Sequence, residues 1–136
     1  MPASSHNRPN RKAAGRRERS LPAERPALSD SIRQLEADLA RAGAEPGFAP
    51  RTARLLDANI SKMAKKVAEE AVEVGLDAVQ GDRRAVIAET VDLVYNLVVL
   101  LHHLDIPTDL IAAEMNRRRE LYGIAAKQPK AAAGEG

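Results

Sequence analysis

Apolar residues recur along this chain at intervals of three and four, the spacing that puts them on one face of a helix. Leu28–Ala42 carries Ile32, Leu35 and Leu39 as a stripe, with N-cap candidates at Ser29–Ser31, capping-box spacing between Ser31 and Gln34, and Gly43 as a stop. After a loop over Gly43–Pro50, the pattern predicts a short helical turn at Arg51–Leu56. The next helix spans Ile60–Gln80. Ile60, Met63, Ala64, Val67, Ala71, Val74 and Ala78 gather on one face of its wheel, and Val72, Leu76 and Val79 form a second strip. Lys62, Lys66, Glu69, Glu70, Glu73 and Asp77 run between these two apolar walls, which predicts a partly buried acidic cleft rather than a solvated face.

A Gly81-Asp82 break precedes a helix over roughly Arg84–Leu104, with Asp82 as its cap. This segment is apolar around nearly its whole circumference, so it must be covered on every side. A chain with about four helices offers too little cover, and a homodimer interface is the economical solution. Its polar exceptions, Glu89, Asp92 and Asn96, fall within about 60° of one another at 100° per residue and form one stripe that can face the acids of the preceding helix. A last helix opens at Pro107-Thr108, with Thr108 as N-cap, and ends near Gly123; it carries Leu110, Ile111, Met115, Leu121 and the basic run Arg117–Arg119. The fold class is therefore all-α, with four to five helices in a bundle completed by homodimerisation. The ordered domain spans 28–127, between a basic extension over 1–27 and a low-complexity tail over 128–136.

Composition changes this picture in two places. Aromatics are only 2% of the 136 residues, so the core is built from aliphatic side chains, and the absence of cysteine excludes both disulfides and thiolate metal sites. The net charge of +2 conceals an asymmetry. Residues 1–27 hold seven Lys or Arg against two Glu, a net of +5, which leaves −3 for the remainder. The basic character belongs to the extension, so nucleic-acid binding by the fold is not expected. The Arg-rich start lacks an amphipathic apolar face, which favours a disordered extension over an organelle transit peptide. The longest apolar run, Leu97–Leu101, is interrupted on its upstream side by Asp92 and Asn96, so no membrane span is expected and a cytoplasmic location is.

Five carboxylates on two adjacent helices repel one another unless a cation lies among them. Carboxylate oxygens without His or Cys suit a hard ion, Mg²⁺ or Mn²⁺, which keeps waters and binds substrate phosphates. Lys62, Lys66 and the Arg117–Arg119 run can supply further positive charge to a polyphosphate. On a solvated helix E-E-x-x-E is common and carries no site by itself. The apolar walls and the second acidic stripe are what favour a metal here. His102, His103 and Tyr95 read as structural groups, His6 lies in the extension, and there is no glycine-rich phosphate loop.

The arrangement Glu69, Glu70, Glu73, then fifteen residues, then Glu89 and Asp92 resembles the all-α NTP pyrophosphohydrolase, or MazG-like, superfamily. Within it, TARLL (52–56), KKVAEEAVEV (65–74), ETVDLVYNLVVLL (89–101) and EMNRRR (114–119) are most similar to the phosphoribosyl-ATP pyrophosphohydrolases of histidine biosynthesis. The resemblance implies a dimer and Mg²⁺-dependent cleavage of phosphoribosyl-ATP to phosphoribosyl-AMP and pyrophosphate. It also implies Glu70, Glu73, Glu89 and Asp92 as metal ligands, Glu69 and Glu70 in catalysis, and Lys62 and Lys66 toward substrate phosphates; Asn96, Arg117 and Arg118 are further candidates for substrate contact. The chain departs from the usual pattern at Arg51 (commonly aromatic), Ala68 (Gly), Gly75 (β-branched) and Asn96 (His). No candidate ligand is lost. Arg51 and Asn96 leave two alternatives open: a pyrophosphohydrolase that clears surplus or noncanonical nucleoside triphosphates, and a non-catalytic paralogue of the same fold.

Overall fold

The computed structural model describes residues 25–45 and 47–123; the expected extension and tail lie outside them, save for 25–27. Five helices follow in order: α1 (Leu28–Ala44), α2 (Pro50–Leu56), α3 (Ile60–Gln80), α4 (Arg83–His103) and α5 (Thr108–Tyr122). No strand occurs among the described residues.

The centre of the fold is the α3–α4 hairpin, and its ends are set by local chemistry. The Asn59 side chain accepts the Lys62 N–H at the start of α3, satisfying a donor that the first turn leaves without a partner. Gly81 ends α3 in the left-handed region at φ 75°, where a β-carbon would be strained. One residue later the Asp82 carboxylate accepts from Arg84 and Ala85 N–H, 3.0 Å each, and starts α4. With only Gly81 and Asp82 between them, the two helices must run antiparallel, and each is 21 residues long.

Leu39, Met63, Val98 and Val99 form the buried core, with Ile32, Leu35, Leu55, Leu56, Val94, Tyr95 and Leu100 packed against it. This core lies at the end of the hairpin remote from Gly81, where α1 and α2 cover the C-terminal half of α4. Among the described residues nothing covers the other half. Val72, Leu76, Val79, Ile87 and Val91 are exposed there, Val79 at 91%. Helix α4 is long and apolar enough to cross a membrane by length and composition alone. Its half-buried Glu89, buried Asn96 and close packing on α3 mark it instead as the central helix of the hairpin.

Three expected helix ends differ. The cap position of α1 is Ala27, with no side-chain hydrogen bond, and Ser29 and Ser31 lie inside the helix. Gly43 does not stop α1: it has no positive φ, and the helix runs on to Ala44 before Glu45 N–H closes it on the Arg41 carbonyl. Thr108 does not cap α5 with its hydroxyl. Its own N–H donates to the Glu36 carboxylate of α1 (2.8 Å), so the first turn is satisfied by an acid 72 residues away.

Leu39 has 0% exposure and bridges α1 to the hairpin. Leu39→Ala should therefore lower the unfolding free energy by about 3 kcal/mol through lost burial and the cavity left behind, measured as a shift in the urea midpoint at constant slope.

Candidate active site

On α3, Glu69, Glu70 and Glu73 occupy one turn, and the antiparallel packing of α4 brings Glu89 and Asp92 alongside. Carboxylate oxygens of Glu70, Glu89 and Asp92 lie within 4.8 Å of one another, a spacing at which a single cation can be shared among them. The set holds oxygen donors only, which suits a hard divalent ion. Glu70 and Glu89 are half-buried and Asp92 is exposed, so the group opens to solvent on one side. Glu73 falls outside this trio, but its charge still acts on Glu89.

Glu89 carries the electrostatic cost of the arrangement. Partial burial, then the negative charges of Glu70 and Asp92, a hydrogen bond with Glu70 and the charge of Glu73 hold its carboxyl above the ordinary range. Glu69 is shifted the other way. Lys66 (3.1 Å) and Lys65 (3.5 Å) pair with it, and its carboxyl is lowered chiefly by the hydrogen bond from Lys66. Glu69 is thus paired within its own helix, with Lys65 and Lys66.

Beside the trio, a cleft of about 590 Å³ is lined by Glu70, Asp92, Lys62, Lys66, Tyr95 and Asn96 from the hairpin, and by Arg51, Arg54 and Leu55 from α2. Asn96 is 9% exposed, the one buried polar residue among the described residues, and its Nδ2 donates to the Asp92 carbonyl at 2.9 Å. That bond uses one N–H and leaves the amide oxygen and the other N–H for the cleft. Lys62, Lys66 and Asn96 are therefore gathered with the carboxylates. Arg117 and Arg118 are not: both guanidiniums pair with Glu114 on α5 at 2.6 Å, and neither lines the cleft. The two arginines hold the Glu114 carboxyl down at about 2, which fits a closed network within one helix.

Three cleft residues escaped sequence reasoning or were read as inert. Arg54 sits in the TARLL phrase but only the fold brings it into the cleft. Arg51 stood out as a departure from pattern, without a role. Tyr95, which reads as a core residue, both lines the cleft and shares a 2.8 Å hydrogen bond with the Thr52 hydroxyl, tying α2 to α4. The available signal was the polar Tyr-Asn pair inside an otherwise apolar run.

The comparisons with known proteins agree with this geometry. The sequence model of one family, described as Phosphoribosyl-ATP pyrophosphohydrolase, matches residues 33–119, a span that contains the trio and the whole cleft. The chain is 48% identical over 109 residues to "Phosphoribosyl-ATP pyrophosphatase 2" of Rhodopseudomonas palustris, covering 79% of this chain and 82% of that protein. It is likewise 48% identical over 106 residues to the protein of that name from Bradyrhizobium diazoefficiens, covering 77% of this chain and 78% of the relative. With "Phosphoribosyl-ATP pyrophosphatase" of Azorhizobium caulinodans it shares 51% over 84 residues, 62% of this chain and 76% of the other. An all-helical hairpin with its acids converging, matched by a family model over most of the described residues, makes this chain a member of the phosphoribosyl-ATP pyrophosphohydrolase family, hydrolases that act on a pyrophosphate bond.

Proposed function

We propose that the protein hydrolyses phosphoribosyl-ATP to phosphoribosyl-AMP and pyrophosphate, with Mg²⁺ (or Mn²⁺) held by Glu70, Glu89 and Asp92 and supported by Glu73. The observation that carries this reading is the trio itself: three carboxylates within 4.8 Å, on adjacent helices, at the mouth of a basic cleft. A divalent ion held there would neutralise polyphosphate charge and lower the pKa of an attacking water. The chain's own groups do the rest. Glu70 faces both the trio and the cleft, so it is placed to orient the water and take up its proton. Glu69 keeps Lys66 extended toward the phosphates, with Lys62 two turns before Glu70 and Asn96 one turn beyond Asp92. Water adds to phosphorus, the α–β anhydride P–O bond breaks, and pyrophosphate leaves with that oxygen. Phosphate charge at the open end meets Lys62 and Lys66.

A homodimer and a cytoplasmic location go with this reading. The exposed strip of Val72, Leu76, Val79, Ile87 and Val91 lies on the half of the hairpin that no other helix covers among the described residues, and a second hairpin packed there would bury it. Val79→Glu combined with Val91→Glu should convert the dimer to monomer in analytical ultracentrifugation, since each places a charge in a dry contact.

The function is tested by a nucleotide panel, with pyrophosphate release measured in Mg²⁺ and again in EDTA. Phosphoribosyl-ATP should be cleaved, and cleavage should vanish with the metal; release from ordinary triphosphates alone would refute the assignment. Glu70→Gln keeps the shape but removes the charge, and should lower kcat by roughly a hundredfold or more while the protein stays folded and dimeric.

The strain at Glu89 gives a signed pH dependence. A carboxyl raised above its ordinary value of 4.5 keeps its proton in the fold at a pH where the unfolded chain has lost it. Metal-free stability should therefore fall as pH rises through the window above 4.5. Glu69 and Glu114 are lowered, so their contributions are lost only below that value and do not confuse the window. Thermal melts in EDTA should show the midpoint declining with pH, Glu89→Gln should flatten the decline, and Mg²⁺ should reverse it in the wild type but not in the variant.

A further inference from the structure

Away from the trio the cleft changes sign. Arg51 and Arg54 are three apart on α2, a spacing that puts both on one helix face, and both line the cleft. Among the described residues the basic side chains that form ion pairs are Arg33, Arg41, Lys65, Lys66, Arg117 and Arg118. Arg51 and Arg54 are exposed and stand outside all of these pairs. They are also held in place. The Thr52 hydroxyl bonds Tyr95 of α4 at 2.8 Å, and Leu55 and Leu56 pack on the core, so α2 presents its arginines from a fixed platform.

The cleft is thus graded along its length. Glu70 marks the acidic end, and Lys62 lies eight residues earlier on α3, about 12 Å along the axis at 1.5 Å per residue. At the acidic end, phosphate charge would be compensated through a divalent ion held by Glu70, Glu89 and Asp92. At the far end no carboxylate lines the wall, so an anion there has to be met by side chains directly. Two guanidiniums offer that, since each presents a planar fork of donors matched to a phosphate.

We propose that Arg51 and Arg54 together bind a second, terminal phosphomonoester on the substrate, remote from the triphosphate. On the reading of the preceding subsection, on which this rests, that group is the 5′-phosphate of the phosphoribosyl moiety. Ordinary nucleoside triphosphates carry no anion at that position and would leave two cations in the cleft without a counter-charge. The pair therefore selects against them as well as for the substrate. Tyr95 and Thr52 act as positioning residues through α2.

Steady-state kinetics on the full-length protein with Mg²⁺ test this. Phosphoribosyl-ATP serves as substrate, and phosphoribosyl-AMP, AMP and pyrophosphate serve as inhibitors. Arg54→Ala should raise KM about tenfold and Arg51→Ala with Arg54→Ala about a hundredfold, as expected for charge-assisted hydrogen bonds. The kcat should be largely kept, and helical circular dichroism should be unchanged because both side chains are exposed. Inhibition by phosphoribosyl-AMP should weaken in parallel, while inhibition by AMP and by pyrophosphate should not. Arg54→Lys should recover part of the loss. Thr52→Val should raise KM by a smaller factor, and Thr52→Ser should not. An unchanged KM in the double variant would overturn the proposal. So would an equal weakening of pyrophosphate, which would put the arginines on the triphosphate. A wild-type protein unable to hydrolyse phosphoribosyl-ATP would instead refute the function itself, and that is seen before any variant is made.

Discussion

The mutual repulsion of Glu70, Glu89 and Asp92 is the constraint around which this protein is arranged. Three carboxylates do not converge to within 4.8 Å unless the backbone forces them together. Here the forcing comes from the α3–α4 hairpin, whose register is set by Gly81 in the left-handed region and by Asp82 capping α4. At the opposite end, Met63 of α3 and Val98 and Val99 of α4 are buried with Leu39 of α1. The acids sit between these two fixed points, so neither helix can slide to relieve them. The raised Glu89 carboxyl is the visible residue of that conflict.

The same frame explains the polarity of the cleft. Along α3 the residues facing it pass from Glu70 to Lys66 and Lys62; along α4 they pass from Asp92 to Tyr95 and Asn96. Because the helices are antiparallel, both sequences lead away from the Gly81 turn, toward α2. A ligand bearing phosphate at both ends matches such a gradient, whereas one with phosphate at a single end leaves half of it unused. Asn96 belongs to this argument: its amide is pinned to the Asp92 carbonyl, so a departure from the family's usual His still presents a fixed polar group.

Much of this was legible in the residues. Helix α3 runs over Ile60–Gln80 as the pattern predicts, because Asn59 and Gly81 are strong local signals that need no tertiary partner. The convergence of the two acidic stripes followed from wheel angles, with Glu73 falling just outside the trio. What failed was whatever depends on a distant partner. The start of α5 is completed by Glu36 of α1, which no local rule for Thr108 anticipates. The exception is the pairing of Arg117 and Arg118 with Glu114, three and four residues before them on the same helix, which spacing alone makes available. Arg51 and Arg54 look like surface residues on a short turn, and tertiary contacts bring them to the cleft: the Thr52–Tyr95 bond, spanning 43 residues, and the packing of Leu55 and Leu56 on the core.

Helix α4 has to serve three masters, which accounts for its composition. One side supplies Glu89, Asp92 and Asn96 to the site, another supplies Val98 and Val99 to the core, and a third leaves Ile87 and Val91 bare. A helix with a single polar stripe and apolar residues elsewhere is stable only if both apolar sides are covered. The described residues cover one side. In the proposed dimer the second hairpin would cover the other, and Val91 is the residue immediately before Asp92, so the packing that seats Val91 would also set the position of a carboxylate of the proposed metal site. Association and catalysis would then be coupled through one turn of α4, with no separate element needed to connect them.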